Sequence, residues 1–215
     1  MNVSKLVILG AGIFGSRALL HCSKAFPNSH ITIVDLYKDA LKYFSKSVSY
    51  DFICADGILY LDDLIENALE PTTWIIPSIP KHVAFEWIKR KIAPPVKQID
   101  IPDTLLKKLP NVMHGNPGTV YMTYATFRCP DNCPEPEKYC YHTKLPRPIN
   151  LFDEIQHLEM KGFSFIVLKS KQILPGVGGF QLQDLIDIYS QVEFSQRPAC
   201  LCTACRCHGV MDAFA

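Results

Sequence analysis

The feature that most constrains the fold is a strand–glycine–helix junction near the N-terminus. The apolar run "KLVIL" (residues 5–9) is typical of a buried parallel strand, and "GAGIFG" follows at once with Gly10, Gly12 and Gly15 in G-x-G-x-x-G spacing. Helical spacing then begins, and a second apolar run, "HITIVD", ends at Asp35, twenty residues beyond Gly15. This order and these distances predict a β–α–β unit.

Each glycine of this loop has a physical role in a dinucleotide site. Gly10 permits a tight turn, Gly12 lets the backbone approach a pyrophosphate, and Gly15 lets the helix pack close to the strand. The N–H groups of the first helical turn then bind phosphate. The alternative is an α/β domain whose glycines serve packing alone. We expect these residues to bind the cofactor: Gly10, Ala11, Gly12, Ile13, Phe14, Gly15, Asp35 and Asp56.

A carboxylate at the end of the second strand also predicts which dinucleotide binds. Asp35 would accept hydrogen bonds from the adenosine ribose and would repel a 2′-phosphate. NAD is therefore the expected cofactor, ahead of NADP.

Apolar and helical segments alternate over the first 127 residues. Four further strand candidates, "YDFICAD", "TTWIIP", "VKQIDI" and "GTVYMTYATF", bring the total to six. Six strands with helical crossovers predict an α/β fold built on a doubly wound, mostly parallel Rossmann-like sheet. We expect residues 1–127 to form this dinucleotide-binding domain and residues 128–215 to form a small α/β appendage with a cysteine-rich site.

The chain resembles the Rossmann superfamily of NAD(P)-binding domains and, within it, is similar to the NAD-binding regulatory domains of potassium transport systems. Those domains end the third strand with Gly-Asp-Ala or similar, against the adenine. The corresponding residues are Ala55, Asp56 and Gly57, with Leu61 and Leu64 following. The resemblance covers about the first 100 residues and implies NAD(P) binding. It does not imply ion transport, which nothing in the second half supports.

The second half is rich in sulfur. Seven of the nine cysteines follow residue 127, in "FRCPDNCPEPEKYCYH" and "ACLCTACRCHGV". Thiolates on flexible loops can converge on one metal centre. We expect six residues to line a site for zinc or a [4Fe-4S] cluster: Cys129, Cys133, Cys140, Cys205, Cys207 and His208.

Two alternatives remain for these cysteines. Reactive thiols could form a disulfide during turnover, without a metal, or the cysteines could be inert. Cys200 and Cys202 are expected in a strand core, and Cys22 and Cys54 are expected in the core of a helix and a strand.

Two histidines follow strand candidates, at the edge where open α/β sheets bind their ligands. His82 in "PSIPKH" and His114 in "MHGNPGTVY" are therefore candidates for proton transfer. For His82, a surface turn that begins the next helix is the preferred explanation, and for His114 a turn explains the stretch at least as well. Neither stretch contains a nucleophile–base–acid set.

Charge and targeting signals narrow the function further. The 22 basic and 21 acidic residues give a net charge of +1 and form no long run of one sign, so we expect neither nucleic-acid binding nor membrane insertion. The N-terminus lacks a secretory pattern, so we expect a cytoplasmic protein with reduced thiols.

Two functions fit these expectations. One is an NAD(P)-dependent oxidoreductase that acts on a small-molecule substrate or a redox partner protein. The other is a non-catalytic NAD-sensing regulatory module with a structural zinc or a redox thiol pair. Formation of a homodimer is left open.

Overall fold

A computed structural model describes residues 3–43, 48–67 and 70–215 and shows a mixed α/β protein with two sheets. None of the helices in these ranges is long and apolar enough to cross a membrane. The strands are β1 (Lys5–Leu9), β2 (His30–Asp35), β3 (Asp51–Cys54), β4 (Trp74–Pro77), β5 (Gln98–Ile99), β6 (Met113–His114), β7 (Thr119–Thr123), β8 (Ser164–Lys169), β9 (Lys171–Leu174), β10 (Val177–Gln181), β11 (Ala199–Ala204) and β12 (His208–Phe214). The α-helices are α1 (Ile13–Ala25), α2 (Gly57–Asn67), α3 (Val83–Lys91), α4 (Asp103–Leu106), α5 (Leu151–Gln156) and α6 (Leu182–Glu193), and a 3-10 helix covers Lys38–Tyr43.

The first sheet begins with four parallel strands in the order β3-β2-β1-β4. These are the first four strands that the sequence predicts, and their apolar residues are buried because helices cover both faces. The sheet continues with β10 and β9, both added in antiparallel fashion. A Cβ atom at Gly179 would overlap the carbonyl oxygen of Ile75, so glycine permits the close approach of β10 to β4.

The prediction of six strands in one parallel sheet is wrong for the last two. The stretch "VKQIDI" forms β5 and "GTVYMTYATF" forms β7, and both pair with β12 in the second sheet. Apolar patterning identifies a strand but not its partner. The place beside β4 is taken by β10, a strand that comes about a hundred residues later in the chain.

The second sheet has the order β6-β7-β12-β11-β8, and β5 also pairs with β12. Its pairs are antiparallel, except that β11 and β8 run parallel. The strands that follow residue 163 are thus divided between the two sheets.

Three apolar cores stack the elements into five layers. The first core lies between α1 and the outer face of the first sheet. The second contains α2, α3 and α6, which are shared by both sheets. The third lies between the far face of the second sheet and helices α4 and α5. The two sheets therefore form one continuous packed structure. It includes the carboxyl ends of β1 and β4 and the turn that joins β11 to β12.

Four cysteines lie outside the cysteine-rich cavity described below. Cys22, Cys200 and Cys202 are buried, as predicted, and burial raises the pKa of Cys22 and of Cys200 to about 12. The core position predicted for Cys54 is wrong, because β3 is an edge strand and this thiol is exposed near the Leu36 carbonyl.

Candidate functional site: a glycine cradle beside a cysteine-lined cavity

The glycine loop has the geometry of a phosphate cradle. Gly10 has φ +106° and donates its N–H to the Val34 carbonyl at 2.8 Å, which turns the chain tightly at the end of β1. A Cβ atom at Gly15 would overlap the Gly10 carbonyl oxygen, so this glycine serves helix packing. A Cβ atom at Gly12 would meet no described atom within 4 Å, so space lies open in front of the backbone there.

The first turn of α1 presents its backbone donors to this space. Gly12 is the N-cap residue, with no side-chain capping bond, and the turn contains no acidic residue. Among the described residues, no acceptor pairs with the N–H groups of Ile13 or Phe14, and both side chains are exposed. Free N–H groups and the positive end of the helix dipole attract an anion.

Asp35 holds the loop against the end of β2. One carboxylate oxygen accepts the Ala11 N–H at 2.7 Å, and the other accepts the Tyr37 N–H at 2.9 Å. Each oxygen keeps a second lone pair for another donor.

Asp56 has a different role at the end of β3. One of its oxygens accepts the N–H groups of Ile58 and Leu59, at 2.8 and 3.2 Å, which caps the start of α2. Its other oxygen lies 3.8 Å from Nζ of Lys81. These bonds give Asp56 a capping role at the start of α2.

A cavity of about 530 Å³ opens at the carboxyl ends of β1 and β4. Gly12, Ile13 and Phe14 form one side, and the segment Pro77–Pro80 forms the next. Gly176 and its neighbours close it from the turn before β10. The cavity volume lies within the range of small-molecule sites.

A second cavity, of about 780 Å³, collects the sulfur-rich segments. It is lined by all six residues that the sequence proposes as metal ligands: Cys129, Cys133, Cys140, Cys205, Cys207 and His208. The loop before α5 brings three of them, and the turn between β11 and β12 brings the other three. The structure therefore brings together residues more than sixty positions apart.

Backbone N–H groups point at several of these sulfurs. Cys205 Sγ accepts the N–H groups of Cys207 and His208, at 3.5 and 3.4 Å. Cys133 Sγ accepts the Glu135 N–H at 3.4 Å. Hydrogen bonds from N–H groups stabilise a thiolate. At Cys205, burial and the Glu135 carboxylate nevertheless raise the pKa well above its ordinary value, against the lowering effect of these N–H groups.

The Cys140 thiol is the clearest case of this effect. Burial raises its pKa. Hydrogen bonds from the Thr143 hydroxyl and from the N–H groups of Thr143 and His142, together with the Arg147 charge, lower the pKa by more than burial raises it. The net result is a pKa below the ordinary value. The opposite holds for Cys207, where burial raises the pKa to about 11 although Arg147 opposes it.

His208 lies between two of the sulfurs. Its Nε2 atom is 3.4 Å from Cys129 Sγ, and its Nδ1 atom is 3.7 Å from Cys205 Sγ. Burial lowers the pKa of this imidazole, which favours the neutral ring. One ring nitrogen can therefore donate to one sulfur while the other accepts.

The described side chains do not form a closed site for a single ion. No three His, Cys, Asp or Glu residues among them have ligating atoms close enough to share one metal ion. The pair Cys205 and His208 does have suitable spacing, since two ligands of one tetrahedral zinc lie about 3.5 Å apart.

Sequence reasoning missed the residues that order this cavity. Arg147 donates to the carbonyl oxygens of Pro136, Glu137 and Tyr139, at 2.6, 3.0 and 3.1 Å, and so fixes the cysteine loop. Glu135 accepts the Arg206 N–H at 2.7 Å, which ties this loop to the turn after β11. An arginine or glutamate in a proline-rich stretch carries no recognisable signal of such a role.

The same cavity contains a proton-holding pair. The Tyr124 hydroxyl donates to a carboxylate oxygen of Glu154, and burial together with that carboxylate raises the tyrosine pKa. Tyr124 also donates its N–H to the Cys207 carbonyl at 3.0 Å, so the pair lies beside the cysteine turn.

The two cavities adjoin. Phe14 and Gly176 line both of them. Arg17, one turn along α1, donates to Asp131 of the cysteine loop at 2.8 Å. Gly176 donates its N–H to the Cys133 carbonyl at 3.0 Å, and a Cβ atom on it would overlap the Asp131 carbonyl oxygen.

The two candidate catalytic histidines line neither of these cavities. His82 is buried beneath the second sheet, where Nδ1 lies 2.6 Å from Asp212 and Nε2 lies 2.8 Å from the Thr203 hydroxyl. His114 lies on the short exposed strand β6. The prediction that these two histidines face the crevice is wrong. The segment after β4 turns inward at His82, and His114 belongs to the other sheet.

Comparison with known proteins connects this region to a protein family. The family described as "Uncharacterized protein, C-terminal domain" matches residues 84–215, which include every cysteine of the large cavity. An "Uncharacterized protein" from Archaeoglobus fulgidus is 31% identical over 161 residues, which cover 73% of this chain and 70% of the relative.

Proposed function

The chain belongs to the family defined by this C-terminal domain, and we propose that it is an NAD(P)-dependent oxidoreductase whose large cavity holds an iron–sulfur cluster. The observation that carries the proposal is the adjacency of the glycine cradle and the cysteine-lined cavity through Phe14 and Gly176. A nucleotide site and a thiolate site that share a wall can serve one reaction.

The nucleotide part rests on the four parallel strands and their glycine loop. Helices cover both faces of that part of the sheet, and the cradle lies at the carboxyl end of β1, which supports a doubly wound, Rossmann-like arrangement. The open space at Gly12 and the free N–H groups of Ile13 and Phe14 suit a diphosphate. The remaining lone pairs of Asp35 suit ribose hydroxyls, which favours NAD over NADP.

The cluster part rests on five thiols that surround one cavity without converging on one point. Four ligands of a single zinc ion must lie within about 4 Å of one another. Thiolates of an iron–sulfur cluster bind separate iron atoms, so they need not touch. The observed spread therefore fits a cluster better than one ion.

The chemistry follows from these two groups. Oxidation of NAD(P)H to NAD(P)⁺ releases two electrons and one proton, and a cluster bound by these thiols would supply one-electron transfer to an acceptor, either a small molecule in the large cavity or a redox partner protein. The chain's residues bind the diphosphate at Gly12, fix the cysteine loop through Arg147 and hold a proton between Tyr124 and Glu154.

A second candidate function is an NAD-sensing module with a structural zinc. The separation of 3.7 Å between Cys205 Sγ and His208 Nδ1 favours it, because two ligands of one ion are spaced in this way.

One preparation tests both candidates. The protein is purified without oxygen, its iron, sulfide and zinc contents are measured, and NAD and NADP are titrated by calorimetry. We expect iron and sulfide in similar amounts, a broad visible absorption, and tighter binding of NAD than of NADP. Stoichiometric zinc without colour would favour the sensing module. Failure to bind any adenine nucleotide would remove both candidates.

A further inference from the structure

The contacts of His208 and of the cavity thiols distinguish residues that could bind a cluster from residues that could not. We propose that Cys129, Cys133, Cys140 and Cys205 are the cluster ligands, and that His208 is a positioning residue that donates a hydrogen bond to the Cys129 sulfur. This inference rests on the iron–sulfur centre of the proposed function, and it assigns a role to each thiol of the cavity.

The first argument concerns distance. His208 Nε2 contacts Cys129 Sγ at 3.4 Å, and Nδ1 contacts Cys205 Sγ at 3.7 Å. Ligands bound to different iron atoms of a cluster do not touch each other, so His208 cannot be a ligand together with either cysteine. A neutral imidazole has one N–H, and a donor at Nε2 suits Cys129 Sγ, because Cys205 Sγ already accepts two backbone N–H groups.

The second argument concerns hydrogen-bond donors. Cys133, Cys140 and Cys205 each accept N–H groups from residues two or three positions ahead in the chain. Cys129 contacts the His208 imidazole in a comparable way. All four sulfurs therefore have donors of the kind that stabilise metal-bound thiolates and tune them.

The third argument excludes Cys207. Its thiol hydrogen-bonds the Arg147 side chain, whose guanidinium is also fixed by three carbonyl oxygens of the cysteine loop. Among the described residues, no backbone N–H donates to the Cys207 sulfur, in contrast to the sulfurs of Cys133, Cys140 and Cys205. Cys207 is therefore the one of the five cavity thiols that does not bind the cluster.

Substitution tests the assignment through iron content and not through turnover. Cys129→Ala, Cys133→Ala, Cys140→Ala and Cys205→Ala should each lose most of the about four iron atoms per chain. Cys207→Ala is the matched control on the same turn, and it should keep the iron, as should His208→Phe and His208→Gln. Circular dichroism establishes whether each variant folds.

A second measurement uses only the wild-type chain, so it does not depend on the folding of variants. Each thiol is alkylated at pH 9 in the iron-loaded and in the iron-free protein, and mass spectrometry gives the ratio of the two rates. Loading should slow alkylation at the four proposed ligands by at least about tenfold and leave the rate at Cys207 unchanged.

The role of His208 is tested by the reduction potential of the cluster. Hydrogen bonds to sulfur stabilise the more negative, reduced cluster, so His208→Phe should shift the potential downward. His208→Gln, which keeps an N–H donor, should shift it less. Loss of iron in His208→Phe, an unchanged potential in that variant, or protection of Cys207 would each overturn the assignment.

The outcomes separate this inference from the proposed function. If iron follows the predicted pattern and no nucleotide binds, the oxidoreductase proposal fails and the ligand assignment stands. If nucleotide binds and the wild type contains zinc or no metal, the ligand assignment fails, and NAD(P) binding stands.

Discussion

Arg17 on α1 forms an ion pair with Asp131 of the cysteine loop, with Nη2 and Oδ2 separated by 2.8 Å. Arg17 lies one turn beyond Phe14 of the phosphate cradle, and Asp131 lies between Cys129 and Cys133. The helix that would hold the diphosphate is thus tied directly to the loop that would hold the metal centre. An ion pair in this position can couple the two sites.

The coupling is measurable by linkage. Removal of the metal should weaken NAD binding about fivefold, and NAD should strengthen metal retention by the same factor. Asp131→Asn should bring both factors close to one while changing stability by less than about 1 kcal/mol, because the pair is partly exposed. Calorimetry of loaded and depleted protein gives the first factor. An Asp131→Asn protein that keeps the full coupling would contradict the link.

Two glycines of the cradle should respond differently to the same substitution. Gly12→Ala meets open space, so it should fold normally but weaken nucleotide binding at least about tenfold, because the new methyl group lies where the phosphate approaches. Gly15→Ala should instead destabilise the fold by about 1–3 kcal/mol, because its Cβ atom overlaps the Gly10 carbonyl. Thermal unfolding and NAD titration distinguish the two effects. Equal loss of stability in both variants would contradict this division.

The buried pair His82–Asp212 should matter for stability. Asp212 has no exposure and accepts hydrogen bonds from His82, from the Gln98 amide at 2.6 Å and from the Thr119 hydroxyl at 2.5 Å. Asp212→Ala leaves these donors unpaired, so we expect a loss of about 3–5 kcal/mol in the free energy of unfolding.

An exposed pair of the same residue types provides the control for that experiment. His30 and Asp51 lie 2.8 Å apart at the surface, so Asp51→Ala should cost less than about 1 kcal/mol. Denaturant unfolding compares the two variants. Similar losses of unfolding free energy in the two variants would show that the buried hydrogen bonds of Asp212 stabilise the fold no more than an exposed pair does.

Thiol reactivity in the metal-free protein should follow the pKa differences in the cavity. Thiolate forms above the pKa, so Cys140, whose pKa is lowered, should be the first of the cavity thiols to be alkylated at pH 7.5, and its rate should level off at a lower pH than that of Cys207. Cys207, whose pKa is about 11, should react on the order of 100-fold more slowly and accelerate up to pH 11. Mass spectrometry against pH measures both rates, and equal rates at pH 7.5 would contradict the difference.

The local pattern predicted the first half of the fold better than the second. Strand, glycines, helix and acid follow in order near the N-terminus, and the contacts that define them are close in sequence, so β1, α1 and β2 form as expected. The pairing of β10 with β4 could not be foreseen, because it joins residues about a hundred positions apart in the sequence. Hydrophobic periodicity and residue propensity identify a strand but not the strand with which it pairs.

The candidate site shows the same division. Cysteine composition and loop context were sufficient to select the six residues that line one cavity. The roles of Arg17, Glu135 and Arg147 depend on contacts between distant segments, and single charged residues in the sequence do not reveal such contacts. His82 is a structural residue because it is buried. The sequence alone cannot show this, since a histidine that follows a strand can face either the crevice or the core.

The most direct test of the account is the visible spectrum of the anaerobically purified protein before and after addition of NADH. We predict a broad absorption from an iron–sulfur cluster that is partly bleached by NADH, and much less bleaching in Gly12→Ala at the same subsaturating NADH concentration. A colourless protein, or a spectrum that NADH leaves unchanged while the nucleotide binds, would contradict the claim that the adjoining cavities serve one redox reaction.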